Sequence, residues 1–189
     1  DPVFKDVDYI INSGGEPTVR EDLIPFLRSE HLALPNAVIQ LSTNGLQPEK
    51  VIKVVEYFHE NFPSMKMEIG TSLDGIGADH DNERRVEGNY AKVTYLIDEL
   101  IKLREKYGRD RLTIGFGTVV TDRTLDSIPA LRRYADEKGI GMLLQWYNQS
   151  GFYSNEKRGQ ETEIRDAETE SRSRALVKEA DYTILSDLW

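Results

Sequence analysis

Apolar positions along the chain fall into two alternating patterns. Compact, β-branched runs recur at residues 7–12, 37–42, 65–73, 112–121 and 141–147, and each predicts a buried strand. Between them the apolar residues take helical spacing: Leu23, Ile24 and Leu27; Val51, Val54, Val55 and Phe58; Val93, Leu96, Ile97, Leu100 and Ile101; Ile128, Leu131 and Tyr134. The βαβαβαβαβα alternation, in units of roughly 30 residues, predicts an α/β fold. Its sheet is parallel with helices packed outside, because right-handed crossovers return each strand beside the last. Five units suit an open or partial barrel, and a doubly wound sheet would show the same alternation.

Helix punctuation agrees with this reading. Pro48 suits a first helical turn, Asn89 is placed to cap a helix beginning near Tyr90, and Gly108 and Gly139 stand where helices should stop. Residues 160–180 are highly charged and predict a solvated helix. They lie in a C-terminal extension, 152–189, beyond the stretch of about 7–151 that carries the motifs described below.

Composition narrows the class. With 189 residues, 39% of them apolar, the chain can bury one sizeable core, and a single domain over 1–189 is expected. No apolar run reaches the roughly 18–20 residues of a membrane helix and no secretory signal is visible, so the default is a cytoplasmic protein without a membrane partner. A net charge of −9 with scattered basic residues argues against nucleic acid. The first residue is Asp1 rather than Met, and residues upstream are expected.

Cysteine is absent, which excludes disulfides, thiolate zinc sites, cysteine nucleophiles and any all-cysteine iron–sulfur cluster held by this chain. The three histidines are dispersed. His31 and His59 read as solvated positions on helices, and no histidine-based metal site is expected.

Parallel α/β architectures bind ligands at the carboxyl ends of their strands. Here those positions read SGGEP, STNG, TSLDG, TVVTD and QWYNQSG in order. Gly14 and Gly15 carry no Cβ, so main-chain carbonyls and amides could approach a ligand there, and Pro17 locks the exit. Exposed carbonyls would suit an ammonium group. Taken alone GGEP reads first as a tight turn, and Thr43, Asn44 and Gly45, or Ser72, Asp74 and Gly75, as ordinary β-to-α turns. A polar loop after the third strand brings His80, Asp81, Arg84 and Arg85 near a strand end. Arginine there offers a rigid fork for a carboxylate, and His80 with Asp81 reads first as a loop-stabilising pair.

Taken in order, GGEPTVREDL, STNG, SLDGIGADHDNERRVEGNYAKV and TVVTDRTLDSI resemble the radical S-adenosylmethionine enzymes. The resemblance is strongest to the subgroup of anaerobic sulfatase maturases and peptide-modifying relatives that carry an added C-terminal cluster domain. It implies a partial TIM-like (β/α)6 barrel whose first βα unit is missing here, and S-adenosylmethionine bound at the strand ends. Ser13, Gly14, Gly15 and Glu16 would meet the methionine amino group through the main chain, with Glu16 orienting the loop. Ser72, and Arg84 twelve residues later, would meet the methionine carboxylate. Asn44 would line the same pocket, and the fourth strand's end from Val119 to Thr121, centred on Val120, would give main-chain contacts to the adenine.

The resemblance also implies a [4Fe–4S] cluster held by a CxxxCxxC loop of the first unit, cofactor cleavage to a 5′-deoxyadenosyl radical, and hydrogen abstraction from a substrate, with peptide modification suggested by the subgroup. This chain has no cysteine ligands for that cluster. The sequence therefore reads as a truncated radical enzyme core, inactive as it stands. Two other readings stay open: a cluster-free, non-catalytic module binding a ligand or a partner protein, and an unrelated barrel enzyme using Asp74, His80 and Asp81 for acid–base work. Trp146, Tyr147, Asn148 and Gln149 could line a substrate mouth or serve as rim packing.

Overall fold

The computed structural model describes residues 6–121 and 123–146, with the isolated positions 4 and 171. Five strands, β1 (Tyr9–Asn12), β2 (Val38–Thr43), β3 (Met67–Ser72), β4 (Leu112–Val120) and β5 (Gly141–Trp146), form one sheet. All neighbours are parallel, and the spatial order repeats the chain order, β1-β2-β3-β4-β5. A doubly wound sheet would reverse direction at a switch point; this one never does. Among the described residues the architecture is a partial (β/α) barrel that does not close, with β1 and β5 at its two ends. At the β1 edge Ile11 is 61% exposed.

Alternation along the strands separates two faces. Ile39 and Leu41 on β2, Met67 and Ile69 on β3, and Leu112 and Ile114 on β4 are buried. They pack against α1 (Leu23–Ala33), α2 (Pro48–Asn61) and α4 (Asn89–Tyr107) through Leu27, Val54, Val55, Phe58, Leu96 and Leu100. Burying side chains of this size contributes about 1.5–3 kcal/mol each. A second cluster joins Leu73 and Phe116 to Val93 and Ile97 of α4 and to Leu131 and Ala135 of α5 (Ile128–Lys138). The intervening positions face the other way and line a cavity.

The helix ends follow local chemistry. Pro48 occupies the first turn of α2, and Gly139 closes α5 in the left-handed region at φ 59°. The polar stretch after β3 holds a helix that the sequence reading took for loop, α3 (Ala78–Arg84). Asp79 and Asp81 stand in its first turn and Arg84 in its last, the charge order that complements the helix dipole. Asn89 does not cap α4. Gly88 is the cap at φ 76°, and the Gly88 and Tyr90 amides both donate to the Asp81 carboxylate at 2.7 Å.

The histidines are not solvated. His31, His59 and His80 are 5%, 3% and 0% exposed, and burial pushes all three imidazoles below their usual range. His31 lies on the same helical stripe as Leu23 and Leu27 and meets the Phe62 ring edge-on at 5.0 Å. His59 stacks on Tyr107 at 4.8 Å, with its ring nitrogens beside the Val55 and Arg111 carbonyls. The expected helix at 160–180 lies outside the described residues apart from position 171, as do Tyr147, Asn148 and Gln149.

Candidate functional site

The carboxyl ends of the strands are tied together by side chains that continue the sheet where its backbone ladder stops. After β1 the chain turns through Gly14 at φ 125°, a conformation that L side chains rarely adopt. A Cβ built on Gly14 or Gly15 would meet nothing within 4 Å, so both peptides border open space. Glu16 follows and fixes the turn. Its Oε1 accepts from the Thr18 amide (3.1 Å), the Thr18 hydroxyl (2.7 Å) and the Thr43 hydroxyl (2.8 Å), and its Oε2 from the Asn44 amide (2.6 Å). One carboxylate thus locks the β1 loop to the end of β2. Lys50 donates to the Thr18 carbonyl and secures the same loop from α2.

Beyond β2, Asn44 Oδ1 accepts from the Leu46 amide at 2.9 Å and Thr43 Oγ1 from the Gly45 amide at 3.1 Å. Gly45 sits at φ 73°, where an added Cβ would lie 2.6 Å from a Val93 methyl.

The ends of β3 and β4 are zipped by the Leu73 amide donating to the Gly117 carbonyl (3.0 Å) and the Thr118 hydroxyl donating to the Leu73 carbonyl (2.7 Å). Asp74 extends this seam with its side chain. It is 2% exposed; Oδ1 accepts from the Val119 amide at 2.8 Å, and Oδ2 lies 2.5 Å from Arg84 Nε. The Arg84 N–H does not point along that contact, so charge rather than an aligned hydrogen bond holds the pair. Asp74 thereby fixes where the guanidinium sits.

Ser13, Gly14, Gly15, Glu16, Asn44, Ser72 and Arg84 line one cavity of about 600 Å³, within the range of roughly 300–1,000 Å³ typical of small-molecule sites. Seven of the eight residues singled out from the sequence meet there. Val120 does not: its side chain is buried among Leu125, Ile128 and Leu144, and Val119 lines the cavity instead. Strand alternation explains this, because neighbouring residues face opposite sides of a sheet. His80 is also outside the lining. It is buried, and its Nδ1 accepts from the Asp74 amide at 3.1 Å, so it supports the turn and does not face a ligand as acid–base chemistry would require.

The sequence reading missed the cavity floor. Gln40, Ser42, Glu68, Gly70, Thr113, Gly115, Gly117, Gly141 and Leu143 all belong to the lining. They are the alternate positions of β2 to β5, a period-2 signal that was available once strand ends were assigned.

The open, sequentially ordered sheet with a polar, glycine-bearing cavity at its carboxyl edge is a partial (β/α) barrel, the fold that the order of motifs implied. The chain aligns with a pre-heme d1 synthase from Dinoroseobacter shibae (strain DSM 16493 / NCIMB 14021 / DFL 12) at 26% identity over 159 residues, 83% of this chain and 35% of that protein. Its fold matches the crystal structure of Streptococcus suis SuiB bound to S-adenosylmethionine with a TM-score of 0.59 at 16% identity, covering 95% of this chain and 39% of SuiB. SuiB bound to the precursor peptide SuiA matches with a TM-score of 0.57 at 15% identity, covering 93% of this chain and 36% of SuiB. No protein-family model matches. The solved structures share the fold to which the order of motifs pointed, and the chain spans little more than a third of the length of these relatives.

Proposed function

We propose that the chain is the cofactor-binding core of a radical S-adenosylmethionine enzyme and that the cavity at the strand ends holds S-adenosylmethionine. The observation that carries this reading is convergence. The ends of β1, β2 and β3, with the helix α3 that follows β3, deliver Gly14 and Gly15, Asn44, Ser72 and Arg84 to one space, and each supplies what one part of the cofactor requires. Main-chain carbonyls around Gly14 and Gly15 suit the methionine ammonium, because no side chain blocks their approach. Arg84 offers a fork for the methionine carboxylate, held in place by Asp74, and Ser72 adds a hydroxyl beside it. Asn44, tied into its own turn through Leu46, presents a rigid polar wall to the ribose side.

The bound sulfonium cofactor supplies one-electron chemistry when reduced, and the protein's part is to bind it, orient it and exclude water. A [4Fe–4S] cluster does not fit the residues here. The chain has no cysteine, and the described residues contain no group of three or more His, Asp or Glu side chains placed to hold a metal. The reading therefore assigns cluster ligands to a segment outside this chain. Hydrogen abstraction from a peptide is the proposed reaction class, supported by the SuiA-bound neighbour.

Calorimetric titration of the chain with S-adenosylmethionine tests the reading. Saturable one-to-one binding is expected, weakened at least about tenfold by Arg84→Ala and several-fold by Ser72→Ala. Absence of binding, or equal affinity in both variants, would overturn it.

A further inference from the structure

Below the rim the same strands build a second chemical surface. Register places Ile11, Gln40, Glu68 and Thr113 in one layer across β1 to β4. The next layer toward the rim is Ser42, Gly70, Gly115 and Gly141, and above it Ser72 lies beside Gly117. Along β3 the inward positions are thus Ser72, Gly70 and Glu68. At about 3.3 Å per residue, Glu68 sits on the order of 13 Å below Ser72.

Glu68 differs from the other charged groups of the lining, Glu16 and Arg84. Glu16 spends both oxygens on four hydrogen bonds within the loops, and Arg84 is paired with Asp74. Glu68 faces the cavity from mid-strand, with the Tyr9 phenol beside it. Burial and the neighbouring carboxylate push the Tyr9 phenol upward, so it stays a donor. The floor around Glu68 adds the Gln40 amide and the Thr113 hydroxyl, while Arg84, the described cation of the lining, is paired with Asp74 near the rim. Between floor and rim, three adjacent strands present glycine, which keeps the passage clear. A carboxylate in a walled cavity without a cationic partner attracts positive charge more strongly than one in open water.

We propose that Glu68, with Gln40 and Tyr9, forms a substrate subsite that takes a cationic nitrogen group, an amine or a guanidinium, threaded past Gly70 and Gly115. The proposal rests on the reading that the rim holds the cofactor, which leaves the floor for substrate. It commits to the charge of the substrate group and to its position beneath the strand ends.

The test is an amide NMR titration of the full chain with N-acetyl-lysine amide, N-acetyl-arginine amide and the neutral N-acetyl-norleucine amide. Saturable shifts centred on Glu68, Gly70 and Gly115 are expected for the cationic probes, with the norleucine probe at least about tenfold weaker. Glu68→Gln should erase that preference. Gly70→Val should block the passage in a folded protein, since its Cβ meets nothing closer than Gln40 Nε2 at 3.4 Å. Equal binding of the neutral probe, shifts confined to another surface, or an unchanged preference in Glu68→Gln would each overturn the subsite. A parallel titration with S-adenosylmethionine separates the two readings. Glu68→Gln is expected to keep wild-type cofactor affinity, and lack of cofactor binding with intact lysine-probe binding would remove the cofactor reading while leaving the cationic site.

Discussion

The two faces of one sheet obey different rules. On the outer face Ile39, Leu41, Ile69 and Ile114 are fully or almost fully buried against helices. On the inner face the alternate residues of the same strands, Gln40, Ser42, Gly70 and Gly115, leave a cavity of about 600 Å³. The outer face makes the protein stable and the inner face makes it useful. Mutational sensitivity should therefore switch with residue parity along a strand.

The largest expected effect is on the outer face. Leu41→Ala removes a fully buried side chain and should lower stability by about 3 kcal/mol, read as a drop in the urea midpoint at constant slope. Next comes a glycine whose freedom the turn needs. Gly45→Ala, with φ 73° and a Cβ 2.6 Å from Val93, should cost about 2 kcal/mol. The inner face should give the smallest effect: Gly70→Ala, at an ordinary strand conformation with 3.4 Å of clearance, should leave stability within about 0.5 kcal/mol. Equal losses at Leu41 and Gly70 would break the comparison.

Acid sharpens it further. His31, His59 and His80 are held below their usual range by burial, so the unfolded chain takes up protons first as pH falls. Their contribution to stability is fully present above the unfolded value near 6.5 and is lost as pH drops below it. The urea midpoint should fall between about pH 7 and 5, and His80→Gln should flatten that dependence. A midpoint that rises on acidification would contradict the buried placement.

Strand and helix patterns carried the fold because alternation and helical period are direct records of burial. Strand order was not legible, since sequential and doubly wound sheets share the same βα rhythm; only the pairing register decides. The lining at the rim was legible because Gly14, Asn44 and Ser72 fall at or just past strand ends and Arg84 on the polar segment after β3. At the end of β4, where main-chain contacts were expected, Val119 lines the cavity while the Val120 side chain turns to the core, as one step along a strand requires. α3 was hidden because its seven residues, ADHDNER, carry almost no apolar period. The floor was overlooked because glycine and glutamate inside a strand do not announce a site; their meaning comes from neighbours one register step away. His31 and His59 were read by polarity rather than by stripe, and each sits four residues from a buried partner, Leu27 and Val55.

The most direct measurement is a crystal structure of the chain grown with S-adenosylmethionine. The account predicts the methionine carboxylate against Arg84 and Ser72, its ammonium at the main chain of Gly14 and Gly15, and the floor at Glu68 left open. Cofactor bound on the outer face, or within the strands without contact to Arg84, would contradict the account.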